Sequence, residues 1–332
     1  MRLSPEQISS FARGCDDLEE IDGALFFDRI GAAGRAYYDL NPAWHLRSRC
    51  PAGVVIEMRT DAAAVDIHLR LGGGARPYAT VDAVVEDALV ATVLSQHPHG
   101  DMHGRLVLPA CEHARRLKIY LPHSAAANLV SIDLIDAKSV EQVKPAKVLL
   151  TLGDSITQGM DAVHPSLTYA AVAARLLRMD LHNYGIGGAV FAKASFPVAP
   201  IIAKPHLITI AYGTNDFSDG CSVEMARDYL SHVRTIFPNT PMVVLMPLWR
   251  ARGHHDGWCD SNGISLANYR DSLRSIVEDL GLPRIERDWL LPAVASMLID
   301  GLHPNDAGHL ILGMNLADRL AHMLEDHDAS IP

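Results

Sequence analysis

The chain reads as an α/β protein: a C-terminal domain built on a doubly wound parallel sheet, preceded by an antiparallel β-sandwich. Three observations predict this. Between residues 53 and 137, short alternating segments succeed one another without helical periodicity. From residue 148 onward, apolar strand-like runs alternate with helical patterns. The change falls on residues 138–147, a polar stretch containing Pro145.

The first half yields strands at 53–59, 64–71, 78–85, 89–95, 105–108, 117–120 and 129–135, each bounded by turn-forming residues. Seven such segments predict a sandwich of jelly-roll type. The second half yields strands near 148–152, 181–184, 207–212, 242–247 and 284–286, with helices near 167–178, 223–237, 264–280 and 306–324. Residues 5–13 can form a helix and 37–49 read as irregular. The expected division is therefore an N-terminal extension over 1–50 that packs on one of the domains, a β-sandwich over 51–140 and an α/β domain over 147–328.

Gly153-Asp154-Ser155-Ile156-Thr157 follows the apolar run 147–152, which places Ser155 where a strand meets a loop. That is the carboxyl edge of a parallel sheet, where open α/β folds bind ligands. A serine needs an imidazole to take its proton and an acid to hold that imidazole in one tautomer. Asp300-Gly301-Leu302-His303 supplies both. Pro304 disfavours helical geometry at His303, so residues 300–303 should form a turn, with a helix starting near Asn305 and Asp306. In that turn Asp300 reaches the ring nitrogen facing away from Ser155. The Gly-x-Ser-x-Gly elbow is not matched, because Thr157 stands at its second glycine. Asn215 follows the run 207–212 and should face the same crevice.

Four blocks occur in order: Gly153-Asp154-Ser155, Asn183-Tyr184-Gly185-Ile186-Gly187-Gly188, Gly213-Thr214-Asn215-Asp216 and Asp300-Gly301-Leu302-His303-Pro304. In this the chain resembles the GDSL/SGNH family of esterases and acylhydrolases. The resemblance implies a flavodoxin-like three-layer α/β/α sheet, with Ser155 as nucleophile, His303 as general base and Asp300 as its orienting acid. It further implies an oxyanion hole made by the backbone N–H of Ser155, the backbone N–H of Gly188 (Gly187 being the neighbouring candidate) and the side-chain amide of Asn215. A β-sandwich ahead of such a domain is similar to the layout of certain carbohydrate esterases. No cofactor and no metal is implied.

Composition narrows the partners. Of 332 residues, 48% are hydrophobic, enough for a large core, and the formal charge of −10 disfavours nucleic acid or an anionic membrane as partner. No run of about 18 apolar residues is present to span a bilayer. Met1 to Glu6 lacks the apolar core of a secretory signal, so the expected location is cytoplasmic. Cys15, Cys50, Cys111, Cys221 and Cys259 are scattered and odd in number, which predicts free, mostly buried thiols.

Several further features invite a functional reading. His97, His99 and His103 with Asp101, and His254 and His255 with Asp256, read as loops rather than metal sites. Gly72-Gly73-Gly74 reads as a flexible turn. Trp249 and Arg250 follow the run 242–247 and are candidates to stack on a sugar ring or clamp a carboxylate. The expected activity is hydrolysis of short-acyl esters, acetyl first, on a saccharide or a glycosylated small molecule. The low aromatic content of 6% favours a short acyl group. A longer-chain lipase or thioesterase and an acyltransferase share every catalytic residue, and a carbohydrate-binding protein with a vestigial site is the non-enzymatic alternative. Oligomeric state is not readable.

Overall fold

The computed structural model describes residues 1–196, 204–251 and 258–329. The chain forms two compact units. One comprises Met1–Ala146 with Val163–Ser166 and Asp180–Asn183, and the other comprises Lys147–Ala162, Leu167–Met179 and the chain from Tyr184 onward.

The first unit is antiparallel and β-rich. Its strands are β1 (Ala12–Arg13), β2 (Asp17–Ile21), β3 (Ala24–Asp28), β4 (Val55–Thr60), β5 (Ala64–Gly74), β6 (Ala79–Val85), β7 (Ala88–Ser95), β8 (His99–Val107), β9 (Arg115–Tyr120), β10 (Ala125–Ile135) and β11 (Val140–Gln142). One sheet runs β1-β4-β9-β6-β7, with β11 on β4, and the other runs β2-β3-β10-β5-β8. Period-2 alternation makes the core: Val65, Ile67, Leu69 and Leu71 of β5 point inward to meet Ile56 and Met58 of β4 and Leu117 and Ile119 of β9 in one apolar cluster.

Residues 1–50 lie with the first unit and contribute β1 to one of its sheets and β2 and β3 to the other. They also hold α1 (Pro5–Phe11), α2 (Gly31–Tyr38) and α3 (Pro42–Ser48). Within residues 37–49, expected to be irregular, α3 forms because Asn41 caps Ala43 N at 2.8 Å and Pro42 occupies the first turn, where no N–H is needed.

The histidine-rich segment also differs from expectation. His99, Asp101 and His103 are not in a loop but on the exposed face of β8, while Met102 and Leu106 fill the core. His103 stacks on His68 of β5 at 3.9 Å, and His68 bonds Asp101 at 2.8 Å. Gly72 to Gly74 end β5 within the sheet rather than in a free turn, Gly72 pairing with His99 of β8 and Gly73 and Gly74 with Ala126 and Ala125 of β10. His254, His255 and Asp256 lie outside the described residues.

The parallel sheet holds β12 (Val148–Gly153), β13 (Asp180–Gly185), β14 (Leu207–Ala211), β15 (Met242–Leu245) and β16 (Arg284–Ile285) in the order β13-β12-β14-β15-β16. The pairs β12–β14, β14–β15 and β15–β16 are parallel. The helices of the second unit are α4 (Ser155–Gln158), α5 (Tyr169–Leu176), α6 (Thr214–Ser218), α7 (Glu224–Ile236), α8 (Leu266–Asp279), α9 (Arg287–Leu290) and α10 (Asp306–Ala329). Leu149, Leu150, Ile208, Ile210 and Val244 are wholly buried, as expected for strands covered on both faces. The apolar stripe of α7, Ala226, Tyr229, Leu230 and Val233, follows the i, i+3, i+4, i+7 spacing that turns one helix face to the core. Strand order 2-1-3-4-5 puts the topological switch point between β12 and β14, and ligands of such sheets bind outside the carboxyl ends there.

No described helix is long and apolar enough to cross a membrane. None of the five cysteines is in a disulfide; Cys50 is buried, Cys15 and Cys221 are half-buried, and Cys111 and Cys259 are exposed, so fewer are buried than expected.

Candidate active site

The two strands flanking the switch point each end in a turn that presents a polar side chain. β12 ends at Gly153, where any Cβ would collide with Thr157 Oγ1 and lie 2.8 Å from Ala211 O, so the turn demands glycine. Asp154 then caps α4 by accepting from Ile156 N at 3.0 Å, and Ser155 opens the helix. Burial is the main cause that lifts the Asp154 carboxyl to about 7. Thr157, at the position where an elbow would carry its second glycine, is instead part of the core, with its hydroxyl 2.8 Å from that of Tyr169.

Ser155 Oγ lies 2.8 Å from His303 Nε2, and His303 Nδ1 lies 2.7 Å from Asp300 Oδ2. The other Asp300 oxygen accepts from the backbone N–H of Leu302 and His303 at 2.9 and 2.8 Å, which makes residues 300–303 a closed turn. Partial burial opposes ionisation of Asp300, but the backbone and ring N–H of His303, with the Leu302 amide, outweigh it and hold the carboxyl at about 2. The turn is pinned outside itself by Ala251 N donating to Gly301 O at 2.8 Å and Ile299 N donating to His303 O at 2.9 Å. Asn305 then accepts from Gly308 N at 3.0 Å and starts α10.

Asn215 stands in the first turn of α6, directly after β14, and its amide nitrogen donates to Ala189 O at 3.0 Å, leaving its second N–H for another acceptor. The glycine loop is held from two sides. Gly187 N donates to Gln158 Oε1 at 2.8 Å, so the Gly187 amide is already used, whereas the amide of Gly188 (φ 82°) makes no such bond among the described residues. Asp216, also buried, accepts from Phe191 N at 2.8 Å and from Gly213 N at 3.0 Å, tying that loop to the β14–α6 turn. Burial is the main cause that raises its carboxyl to about 6. Ser155 N, as the first amide of α4, has no acceptor within its helix.

Trp249 and Arg250, expected at an exposed edge, are buried. They are 8% and 7% exposed, and the Arg250 guanidinium donates to Thr214 O at 2.6 Å and to Ser218 Oγ at 3.0 Å. It also lies 5.4 Å and 5.2 Å from the ring centres of Phe217 and Trp258. Arg250 therefore braces the helix that carries Asn215.

Sequence reasoning did not single out Gln158, Asp161 or His309, and it gave Asp216 no role. Asp161 Oδ2 lies 3.4 Å from His303 Nδ1. His309, fully buried on α10, accepts from Tyr169 N and contacts Met160 O, each at 3.2 Å. Among the described residues, the one group of three metal-ligand types is Asp161, Asp300 and His303, with ligand atoms within 4.8 Å of one another. Both His303 nitrogens already hold partners there, and a cation at Nδ1 would displace the bond that orients the ring.

A nucleophile-type serine in line with an imidazole and a carboxylate, at the switch point of a parallel sheet, is the layout of serine-dependent acyl hydrolases. Residues 151–311 match the model of the GDSL-like lipase/acylhydrolase family. The domain belongs to that family, and the chain is an ester-hydrolysing enzyme.

Among solved structures, the chain is similar to a salicylyl-acyltransferase from a tetracycline biosynthetic pathway, with 22% identity, 94% of each chain covered and a TM-score of 0.76. It is similar to a protein of Bacteroides ovatus classed as a GDSL-like lipase, with 17% identity, 98% of each chain covered and a TM-score of 0.75. It is also similar to a family two carbohydrate esterase from Clostridium thermocellum, with 18% identity, 82% of this chain and 93% of that one covered and a TM-score of 0.63. At these identities the likeness is one of fold. No curated protein sequence matches the chain.

Proposed function

We propose that this enzyme is a serine esterase that removes short acyl groups, acetyl first, from a saccharide or a glycosylated small molecule. The observation that carries the reading is the unbroken line from Ser155 Oγ through His303 to Asp300, at 2.8 and 2.7 Å. Ser155 Oγ attacks the ester carbonyl while His303 Nε2 takes its proton, and the same nitrogen returns that proton to the leaving alcohol. Water, deprotonated by His303, then attacks the acyl-serine and releases the acid. The N–H groups of Ser155 and Gly188 and the free N–H of Asn215 Nδ2 hold the oxyanion, each contributing a factor of about 10²–10³ to turnover. The choice of glycine rests on Gly187 being occupied by Gln158. Likeness to a carbohydrate esterase supports the saccharide part of the proposal.

Hydrolysis of p-nitrophenyl esters from acetate to palmitate, followed by acetylated sugars, tests the reading with the wild type beside Ser155→Ala. Activity that is highest on acetate and lost in the variant is the expected result. Full activity in Ser155→Ala refutes the site, and a maximum at long chains replaces the short-acyl reading with a lipase. Likeness to an acyltransferase over 94% of the chain supports a second reading, in which an alcohol rather than water takes the acyl group. Product analysis with an added acceptor alcohol separates the two.

A further inference from the structure

We infer that Asp161 is a second positioning acid for His303, so that the imidazole is held by two carboxylates instead of one. This rests on the proposed role of His303 as general base. His303 Nδ1 lies 2.7 Å from Asp300 Oδ2 and 3.4 Å from Asp161 Oδ2. The two acids differ in setting: the Asp300 side chain is 46% exposed and the Asp161 side chain 11%. Water and salt screen an exposed charge far more than a buried one, so the longer contact acts through the less screened medium.

The pairing has a chemical consequence. The ligand atoms of both acids and of the ring lie within 4.8 Å of one another, where two carboxylates repel unless a positive charge stands between them. The imidazolium formed when Ser155 gives up its proton supplies that charge, so the second carboxylate favours the transition state. Asp300 and Asp161 are the two carboxylates the geometry sets against this ring, and Ser155 Oγ occupies its other nitrogen.

The backbone around Asp161 is built to hold it. Gly159 N and Met160 N both donate to Ser155 O, at 3.1 and 2.9 Å, and so end α4 immediately before Asp161. The Met160 carbonyl contacts His309 of α10 at 3.2 Å. Asp161 itself adopts φ 70°, a left-handed conformation that aspartate and asparagine tolerate better than other residues with a Cβ. A purely conformational role is therefore filled equally well by asparagine, and a charge role is not.

The test is a double-mutant cycle on kcat and KM with Asp161→Asn, Asp300→Asn and the double variant, with Ser155→Ala as control and p-nitrophenyl acetate as substrate. Thermal midpoints confirm folding, and Asp161→Glu serves as the charge-retaining variant. Where a triad acid acts alone its loss costs about 10⁴-fold. With two acids, Asp300→Asn loses only about 10–10²-fold, Asp161→Asn loses about 10-fold in kcat with KM unchanged, Asp161→Glu recovers part of that, and the double variant loses about 10⁴-fold or more. Asp161→Asn within about twofold of wild type, together with the full 10⁴-fold loss in Asp300→Asn alone, overturns the second acid while leaving the triad standing. Retained turnover in Ser155→Ala overturns the triad itself, and the second acid with it.

Discussion

Removing the carboxylate of Asp216 separates the scaffold of the site from its chemistry. Asp216 is 1% exposed and its two oxygens serve two backbone amides from different loops, Phe191 N at 2.8 Å and Gly213 N at 3.0 Å. Asp216→Ala leaves both amides buried without an acceptor. Each orphan costs about 1–3 kcal/mol, so the variant should lose roughly 2–6 kcal/mol. For a cooperative unit of this size that lowers the thermal midpoint by on the order of 5–20 °C. The loop released is the one bearing Gly188 and Ala189, and Ala189 O is the acceptor that orients Asn215, so kcat should fall as it does on losing an oxyanion donor, about 10²-fold or more. Scanning calorimetry and steady-state ester hydrolysis read the two effects. A variant within about 1 kcal/mol of wild type and with unchanged kcat would refute the claim that this carboxylate ties the loops together.

Asn215→Ala should lower kcat about 10²–10³-fold while moving KM and stability little, since the amide is half-buried and loses one neutral bond; a loss confined to KM would argue against oxyanion binding. Arg250→Met should destabilise by about 1–3 kcal/mol and reduce kcat, because Thr214 O and Ser218 Oγ lose their donor and Asn215 its brace; a raised KM for a glycosylated ester with normal stability would instead restore Arg250 as a substrate clamp. Stability should also fall as pH rises from 5 to 7. The folded-state carboxyls of Asp154 and Asp216 are raised to about 7 and about 6, above their unfolded values, so the native state binds more protons across that window and each group adds a slope of up to about −1.4 kcal/mol per pH unit. Asp154→Asn, which cannot ionise, should show a shallower decline of its urea midpoint between pH 5 and 7, and an unchanged slope refutes the assignment. Asp300, held at about 2, acts in the opposite sense: its contribution is present above the unfolded carboxyl value and is lost as pH falls toward 2.

What could be read from the amino-acid order alone was the part of the molecule written in local pattern. Apolar runs ending in Gly153 or Tyr212 announce strands and the turns after them, and Pro304 after His303 announces a turn ahead of a helix. These signals act over a few residues, so the strand ends bearing Ser155 and Asn215 and the segment bearing Asp300 and His303 were all legible. The alternation of β8 was hidden because His99, Asp101 and His103 supply its solvent face, and a strand polar on every other residue with glycines between resembles a loop.

Tertiary packing decided the rest. Whether Arg250 faces solvent depends on Phe217 and the carbonyl of Thr214, which lie far from it in the chain. Whether Gly187 or Gly188 keeps a spare amide depends on where Gln158 reaches. Asp161 carries no local signal at all: its bearing on His303 exists only because the end of α4 and the start of α10 converge, 142 positions apart in sequence and 3.4 Å apart in space. Backbone preference acts between neighbours in sequence, whereas electrostatics and hydrogen bonding act between neighbours in space, and only the fold makes the second set known.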